Sequence, residues 1–114
     1  MSLSDEQWQF LQDVAKLIQF AEENGLKLTA GELYRTEYQH KHNLKIGLSN
    51  VSRSLHQDRL AIDINLFVDG QPQWNMCDEW VMLGEYWESL SFLNVWGGRW
   101  QEPFDPYHFQ RNKA

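Results

Sequence analysis

His56, Asp63, Asp105 and His108 are the residues whose types and spacing can do chemistry. Asp105-Pro-Tyr-His108 sets a carboxylate three residues before an imidazole, and Ser54-Leu-His-Gln-Asp-Arg-Leu-Ala-Ile-Asp63 places His56 seven residues before Asp63. Two imidazoles and one carboxylate can hold a catalytic metal, which leaves the other carboxylate free to handle a proton. Neutral imidazole keeps a ring-nitrogen lone pair for ligation. Asp63 lies inside an otherwise apolar run, where an unpaired carboxylate would be costly. With His56, Asp63 and His108 as ligands, Zn2+ keeps roughly one net positive charge, which polarises a carbonyl and lowers the pKa of a water. Asp105 stays beside His108 in the chain and is the candidate to take the water's proton and return one to a departing amine. Spacing alone leaves the two carboxylate roles interchangeable. The same donors also suit non-haem iron, but nothing in 114 residues points to the room an organic cosubstrate needs. A metal-dependent hydrolase is the leading reading.

Those side chains need elements to carry them. Ser4 followed by Gln7 resembles a capping box at a helix start. Trp8, Leu11, Ala15, Ile18 and Glu22 then form a stripe, widened by Phe10, Val14, Leu17 and Ala21, up to a stop at Asn24-Gly25. Leu26, Leu28 and Ala30 alternate as an extended segment, a short helix is expected from Glu37 to His42, and Asn43 to Arg53 reads as a polar loop. Leu60 to Val68 has the content of a central strand carrying Asp63, followed by an Asp69-Gly70 turn and a return strand through Gln73. Asp78 is expected to cap a second helix with Trp80, Leu83, Trp87 and Leu90 on its inner face. Phe92 to Trp96 reads as an edge strand, Gly97-Gly98 as a reversal, and Tyr107 to Gln110 as a last strand carrying His108. The seven-residue step from His56 to Asp63 fits a loop ligand folding back beside a strand ligand. There is no internal repeat or linker, so residues 1–114 read as one compact α+β domain.

Sixteen acidic against 10 basic residues give a formal charge of −6, with no basic run, which argues against a nucleic-acid partner. Cys77 is the only cysteine, so no intramolecular disulfide forms; it reads as a helix-start or buried residue and not as a redox nucleophile. The N-terminus lacks a basic segment followed by an apolar run, and no stretch reaches membrane-spanning length. A secreted destination would therefore require an unconventional or lysis-dependent exit. Among the aromatics, Trp8, Trp80 and Trp87 fit helix-core spacing, whereas Trp96 and Trp100 suit either the core or a cleft. His40 and His42, in polar surroundings, read as surface residues.

From Gly31 to Gln110 the chain resembles the M15 zinc peptidases, which include D-Ala-D-Ala carboxypeptidases and phage-type L-alanyl-D-glutamate endopeptidases. Ser54-x-His56 with Ala61-x-Asp63 matches the family's first metal motif, and Gly97-Gly-Arg-Trp100 with Asp105-x-x-His108-Phe109 matches its terminal pattern. The resemblance implies a compact Hedgehog/D-Ala-D-Ala peptidase fold, a small antiparallel sheet packed with helices, with His56, Asp63 and His108 as zinc ligands and Asp105 as acid/base. Leu33-Tyr-Arg-Thr36 matches the family's aromatic-Arg-Ser/Thr segment. Arg35 is thereby implied as a catalytic guanidinium for a peptide carboxylate or an oxyanion. Gln39 is a candidate substrate hydrogen-bonding group, and Ser54 a candidate to hold His56 in orientation. One departure stands out: the glycine usual between the first histidine and the aspartate is Arg59 here, next to Asp58, which makes the loop bulkier.

The resemblance implies hydrolysis of an amide bond in a peptidoglycan stem peptide, with the L-alanyl-D-glutamate bond preferred, as in phage or prophage endolysins. A D-Ala-D-Ala carboxypeptidase is the enzymatic alternative. A non-catalytic envelope-binding or phage structural module on the same fold is the alternative from another class. The expected state is a monomer with a self-contained cleft.

Overall fold

The computed structural model describes residues 1–31, 58–101 and 104–113. Helix α1 spans Leu3–Glu23, strand β1 Lys27–Ala30, β2 Ala61–Val68 and β3 Gln71–Pro72; helix α2 spans Asp78–Ser89, β4 Asn94–Trp96, a 3-10 turn Gly97–Arg99 and β5 His108–Arg111. The strands form one antiparallel sheet in the order β1-β2-β5-β4, with β3 also paired to β2. The α+β expectation holds. The helix expected at Glu37 to His42 and the loop at Asn43 to Arg53 lie outside the described residues.

Strand alternation decides which side chains meet the helices. Leu60, Ile62, Ile64 and Leu66 are buried on one side of β2, and Phe109 joins them from β5. Against this layer α2 sets Trp80, Leu83 and Trp87, all with no exposed surface. Trp87 meets Phe109 edge-on at 6.0 Å and Phe10 of α1 at 5.6 Å, so one aromatic group joins both helices to the sheet. Each large apolar side chain buried in this way contributes roughly 1.5–3 kcal/mol of transfer free energy. Trp96 also belongs to this core.

The inner face of α1 corrects the sequence reading. Phe10, Val14, Leu17 and Ala21 are buried, whereas Trp8, Leu11 and Ile18 are 62%, 63% and 52% exposed. Two apolar stripes compete on this helix, and the one that wins also carries Glu6 and Asp13, both buried. Partners from distant segments make those charges tolerable. Arg111 Nη2 donates to Glu6 Oε1 at 3.3 Å, and Asn94 Nδ2 donates to Asp13 Oδ2 at 3.0 Å. The start of α1 is also displaced from the expected Ser4-Gln7 box. Ser2 is the N-cap and forms a reciprocal box with Asp5, one half-turn earlier.

Smaller corrections have local causes. Cys77, not Asp78, occupies the N-cap of α2, and Asp78 is its first residue, where a carboxylate still faces the positive end of the helix. The Asp69-Gly70 turn forms with φ of 51° and 78°, the left-handed pair a tight hairpin requires. Its return strand is the short Gln71–Pro72, and Gln73 N–H still donates to the Leu66 carbonyl at 2.8 Å, so the pairing with β2 reaches Gln73. No described helix is long and apolar enough to cross a membrane.

Candidate metal centre on the open face of the sheet

The side of β2 and β5 turned away from the helical core carries the chemistry. Asp63 and His108 are direct partners across the β2–β5 ladder, so both side chains leave the sheet on the same face. His108 Nδ1 lies 3.1 Å from Asp63 Oδ1, with the imidazole nearly buried and the carboxylate about a quarter exposed. The neighbours Ile62 and Phe109, also paired, point into the core. A one-residue slip of either strand would put a ligand candidate into the core and an apolar group on the site.

Asp105 reaches the pair from the turn that precedes β5. Asp105 N–H donates to the Gly97 carbonyl at 3.2 Å, and His108 N–H donates to the Asp105 carbonyl at 3.2 Å. Trp96 Nε1 donates to the Pro106 carbonyl at 2.8 Å, and the Tyr107 hydroxyl donates to the Trp74 carbonyl, which fixes the turn on two further sides. Gly97 is the only residue type that fits beneath it: an added Cβ would stand 2.3 Å from the Asp105 carbonyl oxygen and 3.2 Å from His108 Cβ. The Gly-Gly-Arg segment is itself held by Glu88, which accepts from Trp96 N–H at 3.1 Å and from Arg99 Nε at 2.6 Å.

One ligand atom from each of Asp63, Asp105 and His108 lies within 4.8 Å of the other two. Two carboxylate oxygens and one imidazole nitrogen, from paired strands and a clasped turn, are donors that could hold a metal ion. Burial opposes a charge on His108, but the hydrogen bond and charge of Asp63, then Gln110 and Asp105, outweigh it and hold the imidazole above its ordinary value of 6.5. The centre thus attracts positive charge, whether a proton or a cation. Trp100 tilts over the imidazole at 41° with ring centroids 5.2 Å apart, which places it at the site and not in the core.

The structure therefore brings together Asp63, Asp105 and His108. His56, Ser54, Arg35 and Gln39 lie outside the described residues. Two features went unread in the sequence. Gln110 stands on the same face of β5 as His108 and bonds its ring, a relation that the two-residue period of a strand could have flagged. Arg59, in the place of the family's glycine, has a left-handed backbone with φ of 57°, the conformation glycine adopts without steric cost.

Comparison with known proteins places the fold and the family. The M15 family model described as D-alanyl-D-alanine carboxypeptidase matches residues 48–111, more than half of the chain, and this stretch contains Asp63, Asp105 and His108. The crystal structure of the L-Ala D-Glu endopeptidase ChiX of Serratia marcescens superposes with a TM-score of 0.71 at 22% identity, covering 89% of this chain and 79% of that one. No curated protein sequence matches.

Proposed function

The chain belongs to the M15 peptidase family, and on that premise we propose that it is a zinc-dependent hydrolase of a peptidoglycan stem-peptide amide bond. The convergence of Asp63, Asp105 and His108 inside the family-matched segment carries the reading. Asp63 and His108, with His56, are the proposed ligands. Zinc held there would supply Lewis acidity toward the scissile carbonyl and the attacking water.

The chain's own groups do the rest. Asp105, clasped by Gly97 and His108 backbone, accepts the proton of the attacking water and returns one to the leaving amine. Arg35 neutralises a substrate carboxylate or the oxyanion formed during attack, Gln39 hydrogen-bonds the peptide, and Ser54 orients His56. Trp100 beside His108 offers an apolar wall for the substrate. The preferred bond is L-alanyl-D-glutamate, the bond cleaved by the structurally similar Serratia endopeptidase; the D-alanyl-D-alanine carboxypeptidases of the matched family support that activity as the second reading. A monomer acting in the periplasm or cell wall, in the manner of a phage or prophage endolysin, is the setting this substrate implies.

Digestion of purified peptidoglycan with zinc-loaded protein, followed by mass spectrometry, separates the readings. New N-terminal D-glutamate is expected; free D-alanine would favour the second reading. Binding to wall fragments without either product, with and without zinc, would make the chain a non-catalytic module and sink both.

A further inference from the structure

We propose that Gln110 is a positioning residue of the metal centre: it fixes the proton of His108 on Nε2 and so aims the Nδ1 lone pair at the ion. The proposal rests on His108 being a ligand. A histidine offers a metal only one nitrogen, and the hydrogen bond at the other nitrogen decides which. Here the two nitrogens face different groups. Nδ1 looks onto Asp63 Oδ1 at 3.1 Å, within the cluster that includes Asp105. Nε2 looks away from it, onto Gln110 Oε1 at 2.7 Å.

An amide oxygen only accepts, so a contact of 2.7 Å to it requires the proton on Nε2. At its far end the same amide meets the next one along the strand, with Gln110 Nε2 donating to Asn112 Oδ1 at 2.7 Å. Of the two ring protons, the one on Nε2 is thus retained and the one on Nδ1 is given up when a cation arrives. The backbone supports the same arrangement. His108 and Gln110 are two apart on β5 and share a face, and Gln110 is the cross-strand partner of Ala61, whose small side chain leaves the amide room. The Gln110 carbonyl is itself fixed, because it accepts from Trp87 Nε1 at 3.1 Å. The chain His108–Gln110–Asn112 therefore runs from the metal site to the end of β5 on a strand that the core immobilises.

Substitution of Gln110 removes the acceptor that Nε2–H meets at 2.7 Å, while Asp63 continues to attract a proton to Nδ1. The imidazole would then present its proton to the ion, and ligation would require a tautomer change. Loss of such an outer partner typically weakens metal binding by about 10–100-fold.

Two measurements on the full chain test this. Nitrogen-15 NMR of His108 in metal-free protein, above its titration, is expected to show Nε2–H in the wild type and a shift toward Nδ1–H in Gln110→Met. Competition with a chromophoric chelator is expected to show zinc held about 10–100-fold less tightly by Gln110→Met, and at wild-type strength by Gln110→Glu, whose carboxylate also accepts from Nε2–H. Nδ1–H in the wild type, an unchanged tautomer in Gln110→Met, or wild-type affinity in that variant would overturn the proposal. If Gln110→Met fails to fold, weakened zinc binding in Gln110→Lys with rescue in Gln110→Glu supports it, and equal affinity in the two overturns it. A wild type that binds no zinc would sink the ligand assignment instead, and the NMR result alone would then decide the role of Gln110.

Discussion

Asp63 and His108 are cross-strand partners whose side chains meet at 3.1 Å on the face of the sheet opposite the aromatic core. The contact favours a proton on His108 in the metal-free protein. Under the proposed ligation a cation would compete with that proton, and the pair would link metal affinity, stability and pH.

In the metal-free protein the sign of that linkage is fixed by the raised pKa of His108. A group whose folded pKa lies above its unfolded value contributes stability that is complete below the unfolded pKa and is lost as pH rises through the folded one. The loss begins near the ordinary value of 6.5 and proceeds upward. Thermal unfolding in the presence of a chelator should show wild-type Tm falling across this window relative to His108→Asn. Added zinc should reverse the trend, stabilising more as pH rises and the proton leaves. Parallel Tm curves for the two proteins under chelation would count against the Asp63–His108 coupling.

Asp105→Asn separates proton transfer from ligation. The amide cannot accept a water's proton, so turnover should fall by about 10²–10⁴-fold while zinc affinity stays near wild type. Asp63→Asn and His108→Ala should lose zinc and turnover together. Zinc loss in Asp105→Asn with retention in Asp63→Asn would exchange the two carboxylate roles, a live distinction because all three donors lie within 4.8 Å.

Periodicity made both helices and the central strand legible, and the Asp-Gly hairpin could be read from two residues. The inner face of α1 could not. Trp8, Leu11 and Ile18 are as apolar as the stripe that is buried, and the choice between them was made by partners far away in sequence. Glu6 is buried because Arg111 reaches it, and Asp13 because Asn94 does. Asp63, Asp105 and His108 could be named as candidates from residue type and family resemblance, but the direct contact between Asp63 and His108 could not. Asp63 and His108 are 45 residues apart, and their contact follows from the β2–β5 register, which no local pattern encodes. Gln110 was within reach of period-two reasoning but is an ordinary polar residue until His108 is placed beside it.

Gly97→Ala tests whether the turn, and not the strands, sets the proton-transfer group. The new Cβ would lie 2.3 Å from the Asp105 carbonyl oxygen, so the turn must move. Overpacking of this kind costs about 1–3 kcal/mol, and a displacement near 1 Å at a catalytic group costs about 10²-fold in rate. A folded variant with turnover reduced to that extent is expected, with the drop in kcat exceeding the loss of zinc affinity, since Asp63 and His108 sit on paired strands. Wild-type kcat in this variant would show that Asp105 does not depend on the Gly97 contact.

Arg59 holds φ at 57° where the family's motif has glycine. A left-handed backbone costs a residue with a Cβ roughly 1–2 kcal/mol, whereas glycine adopts it freely but gives up roughly 0.5–1 kcal/mol through its more flexible unfolded chain. The first effect is the larger, so Arg59→Gly should be more stable by about 0.5–1 kcal/mol, a rise in Tm of about 2–4 °C. Arg59→Ala serves as the control: it removes the same long side chain and keeps the Cβ. A gain in Arg59→Gly that is absent in Arg59→Ala assigns the effect to the backbone. An equal gain in both would place it in the Arg59 side chain, and no gain in either would mean that contacts of the guanidinium offset the strain.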